Sequence, residues 1–152
     1  MFLVSFFHKK QMRKLLLLTI VIVVSAFSAW AQHIRYKDCY GDKLYFVEDN
    51  TIRAKDCYGD KLYFLDGNTI RRKDQYGEKL FFLDGQTVRF RDTYGEKIFF
   101  FDENTIRAKD SYGEKLYFID GNTIRRKDCY GDKIFYLEMP PQMWVLVCII
   151  GL

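Results

Sequence analysis

An eighteen-residue unit recurs along this chain without a single insertion or deletion, and it constrains the fold more than any other feature. The unit reads KDCYGDKLYFLDGNTIRR at positions 55–72, and a half copy, HIRY, occupies positions 33–36. Copies begin at Lys37, Lys55, Lys73, Arg91, Lys109 and Lys127, and the last of them stops at Met139. A fixed period of this kind indicates a repeat architecture, in which neighbouring units complete one another's core.

Two short apolar stretches alternate with two turn signals in each unit. KLYFL at positions 61–65 is aromatic and aliphatic, and NTIR at 68–71 contains β-branched residues, as strands do. The segments DxYG[DE] and [DE][GDE][NQ] between them contain residues that supply turn dihedrals. The pattern therefore predicts a chain of short β-hairpins rather than helices.

The first turn contains a glycine in all six copies, which predicts a positive φ that closes a type I turn with a bulge. We expect Asp38 and its equivalents to open this turn. In the second turn Asp49 and Glu103 replace the glycine of other copies. The left-handed residue there is expected to be the following Asn50 or Asn104. The first-turn glycines are Gly41, Gly59, Gly77, Gly95, Gly113 and Gly131.

The pairing within a hairpin depends on the length of the first loop. A three-residue loop predicts Ile52 opposite Phe64 and Arg53 opposite Tyr63, which gives one apolar face and one face of Arg, Lys and Tyr. A four-residue loop is the alternative, and it scrambles the apolar face. We adopt the three-residue loop.

The copies must cover one another, because an isolated hairpin is marginally stable in water. Linear stacks need polar terminal units, whereas the first and last copies here are nearly ordinary. The prediction is an all-β fold, a closed flower- or propeller-like ring of about six short hairpins, with no end to cap. Five hairpins plus terminal strands that pair with each other is the alternative count, and an open stack of hairpins is the alternative architecture.

Residues 1–31 have the pattern of an export signal, with a basic stretch, an apolar run over 15–24 and the small-x-small sequence Ala29-Trp30-Ala31. The mature chain is predicted to begin at Gln32 and to be secreted or periplasmic. Met12 is an alternative start to Met1. An uncleaved membrane anchor is the alternative interpretation, but the apolar run is shorter than the roughly 20 residues that a spanning helix needs.

The net charge of +4 arises in the leader, which contributes four basic and no acidic residues to totals of 24 and 20. The remainder of the chain is neutral. This balance does not support a nucleic acid or an anionic lipid surface as a partner.

Residues 32–138 form the predicted repeat domain, and residues 139–152 form a short apolar tail. Pro140 and Pro141 prevent the strand ladder from continuing, and the apolar sequence MWVLVCIIGL that follows is too short to span a bilayer. Two interpretations of this tail remain: a plug for the open end of the ring, or an artefact of the gene model.

Residues for catalysis are sparse once the leader is set aside. His33 and Ser111 are the only histidine and serine left, and no acid–base or nucleophile arrangement can be built from them. Asp56 and Asp60 flank one turn, but Lys61 follows and the glycine-dense spacing of calcium-binding repeats is missing. We therefore predict no catalytic residues, no metal site, no cofactor and no enzyme activity.

Three cysteines, Cys39, Cys57 and Cys129, occupy one slot of the repeat that holds polar residues in the other copies. A closed ring of six units would bring their copies together as neighbours. The sector is a candidate for a disulfide in an oxidising compartment, which requires Cα atoms about 4.4–6.8 Å apart. Free thiols are the alternative.

The tyrosines of the first turn are the best candidates for recognition. A closed array would present them in a circle near Arg and Lys side chains, suited to sugar rings or a protein surface. In the alternative, each ring folds over its own hairpin. These residues are Tyr40, Tyr58, Tyr76, Tyr94, Tyr112 and Tyr130.

The tandem YG turns behind a signal sequence, with recurring IR-x-[KR]-D-x-YG-[DE]-K and a DGN-type return, resemble the bacterial secreted β-flower proteins, especially the 5-fold type. The resemblance covers residues 32–138 and implies a small closed array of hairpins with no activity to transfer. This chain departs from it in having six YG turns and aromatic KLYF or KIFF segments. We expect a non-enzymatic structural or interaction module, with a carbohydrate- or cell-wall-binding module as the alternative. The sequence does not identify the partner, for which a glycan and a cell-surface protein are the candidates.

Overall fold

The computed structural model describes residues 31–151, so the predicted signal peptide lies outside the described residues except for Ala31. These residues form a closed barrel of twelve antiparallel strands and one helix. The strands are β1 Ala31–Tyr36, β2 Lys43–Glu48, β3 Thr51–Ala54, β4 Lys61–Asp66, β5 Thr69–Arg72, β6 Lys79–Asp84, β7 Thr87–Phe90, β8 Lys97–Asp102, β9 Thr105–Ala108, β10 Lys115–Asp120, β11 Thr123–Arg126 and β12 Lys133–Leu137, and the helix is α1 Met143–Ile150.

The strands pair in sequence order, and β1 closes the barrel on β12 through pairs such as Ile34 with Leu137. The predicted closed ring of hairpins is confirmed, and the open stack is excluded. Six hairpins carry the YG loops, and five short turns join them. The alternative count of five hairpins plus a seam between terminal strands describes the same barrel from its other end.

The two ends of the barrel are built differently. One end, the tyrosine rim, consists of six-residue loops at 37–42, 55–60, 73–78, 91–96, 109–114 and 127–132. The other, the turn end, consists of two-residue turns at 49–50, 67–68, 85–86, 103–104 and 121–122. The first five copies of the repeat contribute a loop to each end, and the sixth contributes only to the tyrosine rim.

The predicted register of the YG hairpins is wrong. Ile52 pairs with Tyr63, and Arg53 pairs with Lys61 across a bulge-like shift of register. The loop between these strands has six residues rather than three or four, and the shift absorbs an extra residue. Tyr63 therefore faces the barrel interior with Ile52, whereas Phe64 is half-buried on the opposite face.

The first-turn glycines are not the residues with positive φ. The left-handed residue is the first residue of each loop, as in Lys73 with φ 65°. Gly77 is needed because a β-carbon there would lie 1.7 Å from the carbonyl oxygen of Arg72. Asp74 opens the turn as predicted, since its carbonyl accepts a hydrogen bond of 3.0 Å from the Gly77 N–H.

The second turn has positive φ at its first residue, which is glycine in three copies with φ of 58–60°. Asp49 and Glu103 hold that position with φ of 49° in the other two copies. The expectation that Asn50 or Asn104 would be the left-handed residue is wrong. A two-residue hairpin turn of the II′ kind places its positive φ at the first position, and the acidic side chains tolerate it.

Apolar side chains of the strands and of α1 fill the interior of the barrel. A ring of six fully buried side chains comes from the odd-numbered strands: Ile34, Ile52, Ile70, Val88, Ile106 and Ile124. Residues 144–150 of α1 are all buried and belong to the same core as these strand residues. A helix that is apolar on every side is stable only when it is enclosed, so the tail fills the barrel.

Near the tyrosine rim, α1 lies closer to one wall of the barrel than to the opposite wall. Tyr63, Phe81 and Phe99, from β4, β6 and β8, are buried, whereas the equivalent Tyr117 and Phe135 on β10 and β12 are only partly buried. A β-carbon on Gly151, just after α1, would lie 2.9 Å from Cζ of Phe81. The C-terminal end of α1 therefore leans toward β6 and leaves space beside β10 and β12.

On the outside of the barrel, each odd-numbered strand from β5 to β11 contributes an arginine that hydrogen-bonds to residues near both ends. Arg71 donates from Nε to Asp66 Oδ2 at 2.9 Å and from Nη1 to the Gly77 carbonyl at 3.1 Å. Arg89, Arg107 and Arg125 repeat both contacts. These arginines therefore link the turn end to the tyrosine rim.

At the seam, Glu138 takes the place of the turn-end aspartate. Arg35 pairs with its Oε1 at 3.0 Å, and the backbone N–H of His33 donates to its Oε2 at 2.9 Å. The N–H of Met139 also donates to the buried Gln32 side chain at 3.1 Å. The two termini of the repeat region are thus joined by the same kind of contact that the other copies use.

Within residues 31–151, no helix is long and apolar enough to cross a membrane.

Candidate tyrosine recognition rim

The six candidate tyrosines project from the rim into solvent. Their exposed fractions range from 88% for Tyr76 to 97% for Tyr94. The alternative in which each ring folds over its own hairpin is therefore not what the structure shows. Because two strands separate neighbouring loops, the tyrosines follow one another at intervals of about 10 Å.

The backbone beneath each tyrosine is held by its own loop. In the third loop, the Tyr76 N–H donates to Asp74 Oδ1 at 2.9 Å, and the Arg72 N–H donates to the Glu78 carbonyl at 2.9 Å. All six loops repeat the aspartate contact at the same distance. The side chains are therefore displayed from ordered loops, which reduces the entropy lost on binding.

Both acidic and basic side chains lie between the tyrosines. Arg91 pairs with Glu78 at 3.0 Å, and Lys109 pairs with Glu96 at 3.8 Å, so these contacts join neighbouring loops. Lys127 and Glu114 make the third such pair, at 3.9 Å. All six partners are at least half exposed, and such pairs contribute little stability. They remain available to hydrogen-bond a partner.

The three candidate cysteines lie on neighbouring loops of the rim, as the ring prediction required. Cys129 and Cys39 flank the β12–β1 seam, and Cys57 lies on the next loop. All three are exposed free thiols. Loops spaced by two strands are about 10 Å apart, which is too far for a disulfide between Cα atoms. The fourth cysteine, Cys148, is buried in α1, and burial raises its pKa.

Within residues 31–151, no nucleophilic side chain lies beside His33. Its Nδ1 lies 3.3 Å from Glu138 Oε2 at the seam, while Ser111 lies on an exposed loop of the rim. Burial acts to raise the pKa of Glu138, but the His33 backbone N–H and the Arg35 guanidinium outweigh it and lower that pKa. Among the described residues, no group of three or more His, Cys, Asp or Glu side chains could hold a metal ion.

A cleft that was not predicted from the sequence lies at the inner edge of the tyrosine rim, beside Arg126. The signal lies in a single repeat slot, immediately before the left-handed residue. This slot contains Tyr36, Ala54, Arg72, Phe90, Ala108 and Arg126 in successive copies. A slot that changes so much within a strict repeat is where copies differ in function or packing, but only the barrel shows that it borders the interior.

Comparisons with protein-family models, with curated proteins and with solved structures found no match to this chain.

Proposed function

We propose that this chain is an exported, non-enzymatic interaction module that binds a protein surface through the tyrosine rim. The observation that carries the proposal is the exposure of all six rim tyrosines, 88–97%, on loops whose backbones are hydrogen-bonded. Exposed aromatic side chains in this number are unusual for a surface with no partner. Tyrosine is enriched in protein interfaces because it combines a large apolar area with a hydroxyl group.

The proposal includes a bacterial origin, export by residues 1–31 and kinship with the β-flower proteins. It is supported by the leader sequence and by the closed ring of tandem hairpins. The rim suits a broad, weakly curved partner rather than a small molecule, since its tyrosines encircle the barrel. A partner on the cell surface would meet several tyrosines at once, and each contact could then be weak.

A second candidate function is binding to carbohydrate or to the cell wall. It is favoured by the neighbourhood of each tyrosine, where an apolar ring stands beside exposed acidic and basic side chains, as Tyr94 stands near Arg91 and Glu96. Aromatic rings can cover the apolar face of a sugar while charged groups hydrogen-bond its hydroxyls. A polymer of sugars would contact successive loops.

The test is retention of the purified protein on insoluble cell-wall glycan, on a glycan array and on surface proteins extracted from cells. Changing all six rim tyrosines to alanine should abolish retention. Thr93→Ala, in the same loop as Tyr94, is the matched control and should bind normally. Retention by glycan would favour the second candidate, and retention by protein alone the first. Equal retention of the tyrosine-free variant would contradict both.

A further inference from the structure

A cleft opens at the inner edge of the tyrosine rim, between the end of α1 and strands β10 to β12. Its volume is about 480 Å³, and a second depression of about 450 Å³ continues it toward the β1–β2 loop. Arg126 and Ile134 border both parts. The two parts therefore meet at Arg126 and Ile134 and form one groove.

The groove follows from the position of the helix. Because α1 leans toward Phe81 on β6, the opposite wall loses its cover, and Tyr117 and Phe135 are only partly buried there. Ile149 and Ile150 at the end of α1 form one side of the groove, and Leu116 and Phe135 form the other. The floor is thus apolar and lies next to solvent.

Five basic and three acidic side chains border the groove as a whole, and the acidic ones include Asp38 and Asp132 in its smaller part. Arg126, Lys127 and Lys115 border the larger part, with Glu114 as its one acidic residue, and Glu114 is paired with Lys127 at 3.9 Å. Among residues 31–151, Arg126 has no ion-pair partner, whereas its chain neighbour Arg125 pairs with Asp120 at 2.9 Å. An unpaired guanidinium above an apolar floor favours a ligand with one anionic group and an apolar chain.

We propose that this groove binds a single-chain carboxylate amphiphile, such as a medium-chain fatty acid. The carboxylate would accept hydrogen bonds from Arg126, whose planar fork fits a carboxylate in two-point contact. The chain would lie along Ile149, Ile150 and Phe135 and remove apolar surface from water. This site does not depend on the tyrosine rim, because its ligand contacts the interior of the barrel rather than the loop tips.

The repeat supplies a matched control on the far side of the barrel. Arg72 occupies the same slot as Arg126, three copies earlier, and is exposed as well. It lies beside the wall where Tyr63 and Phe81 are covered by α1, and it borders neither part of the groove. The two arginines therefore share sequence context and charge but differ in the space beside them.

The experiment is calorimetric titration of the full-length protein with decanoate below its micellar concentration. We expect binding to one site, roughly tenfold weaker or more for Arg126→Gln because a charge-assisted hydrogen bond is lost. Arg72→Gln should bind as the parent protein does. Decanol, which has the chain without the charge, should bind the parent as weakly as decanoate binds Arg126→Gln.

Nuclear Overhauser contacts locate the bound chain independently of any variant's stability. Contacts between decanoate methylenes and the methyl groups of Ile149 and Ile150 are expected. Equal weakening by Arg72→Gln, equal affinity for decanol, contacts confined to the outside of the barrel, or no binding of decanoate would each overturn the proposal. Unfolding midpoints of both arginine variants should match that of the parent, which makes a binding loss specific.

Discussion

The two ends of the barrel are formed by the same repeat but differ in what their residues do. At the turn end, two-residue turns connect strands closely, and an acidic side chain such as Asp66 is fastened to Arg71 on the outer wall. At the rim, six-residue loops rise from the strands, and their tyrosines make almost no contact with the barrel. Within one repeat, therefore, the residues that stabilise the fold are separate from the residues that form the exposed surface.

The glycines at the two ends of the barrel are required for different reasons. At the turn end, Gly67 has φ of 59° and open space around the position of a β-carbon, so dihedral strain is its only requirement. In the rim loop that precedes it, Gly59 has no positive φ, but a β-carbon would lie 1.7 Å from the Ala54 carbonyl oxygen. The turn end therefore accepts Asp49 and Glu103 at the glycine position, whereas every rim loop keeps glycine.

The largest effect expected from this comparison is that of Gly77→Ala. The new β-carbon overlaps the Arg72 carbonyl oxygen, and the loop must give up its packing, at a cost of about 3 kcal/mol in unfolding free energy. Gly85→Ala, at φ of 60° with nothing within 4 Å, should cost only about 1 kcal/mol. Urea unfolding of both variants measures the two costs.

Equal costs for the two glycine variants would contradict the division between the ends. A larger cost for Gly85→Ala than for Gly77→Ala would mean that positive φ at the turn end restricts substitution more than the close backbone contact in the rim loop does. Gly121→Ala, at φ of 58° on another copy, serves as the internal control and should match Gly85→Ala.

A second prediction compares two tyrosines of one hairpin. Tyr63 faces the interior, and burial raises its pKa from 10.0 to about 12, with smaller contributions from Cys148 and Tyr45. The unfolded chain releases this proton first as the pH rises. Stability that is present below pH 10 is therefore lost progressively between about pH 10 and pH 12, by roughly 2–3 kcal/mol.

Tyr63→Phe should remove this component of the alkaline loss, which urea unfolding at pH 9 and pH 12 would show. Tyr58→Phe, at a rim position 95% exposed, should leave it intact. Each variant loses a single hydroxyl group, so the difference between the two variants isolates the contribution of Tyr63. Identical alkaline losses in the two variants would contradict a raised pKa at Tyr63.

Glu138 holds the seam between β1 and β12 at the turn end of the barrel. The pKa of Glu138 is lowered by the His33 backbone N–H and the Arg35 guanidinium, although burial opposes them. A lowered folded pKa means that Glu138 stabilises the barrel above its ordinary pKa of 4.5 and that this contribution is lost as the pH falls further. Glu138→Gln should cost about 0.5–1 kcal/mol at pH 6 and nearly nothing at pH 3.

Glu48 provides the matched control for the seam, because it occupies the same repeat slot in the first copy. Among the described residues it has no ion-pair partner, whereas Glu138 pairs with Arg35 at 3.0 Å. Glu48→Gln should therefore change the unfolding free energy little at either pH. A pH-independent cost for Glu138→Gln would show that its ionised form contributes nothing to closure.

The closed ring was predictable because it follows from the repeat and from terminal copies that carry no polar cap. The register was not predictable, because it depends on whether the chain turns in three residues or six. Lys55 shows why: a left-handed lysine, φ 60°, is rare enough that no reading of residue preferences would place it there. Once that residue starts the loop early, Tyr63 rather than Phe64 lies opposite Ile52.

The rim tyrosines were predictable as candidates, but their exposure was not. Whether Tyr58 lies over its hairpin or stands free depends on the path of the six-residue loop, which follows from Lys55 and Gly59 together. The groove beside Arg126 was beyond the sequence altogether, since it arises from the leaning of α1 toward Phe81. Contacts between a tail and a barrel wall leave no trace in an eighteen-residue period.

The smallest effect on stability should come from the rim tyrosines themselves. Tyr76→Ala and Tyr94→Ala remove side chains that are 88% and 97% exposed and whose backbone hydrogen bonds to Asp74 and Asp92 do not involve the ring. Each change should therefore shift the unfolding free energy by no more than about 0.5 kcal/mol. Tyr63→Ala, which empties part of the core, is the contrasting variant and should cost about 3 kcal/mol or more. A loss of unfolding free energy above about 1 kcal/mol for both rim variants would place their rings against the barrel in solution. It would contradict the distinction between an exposed rim and a barrel wall that stabilises the fold.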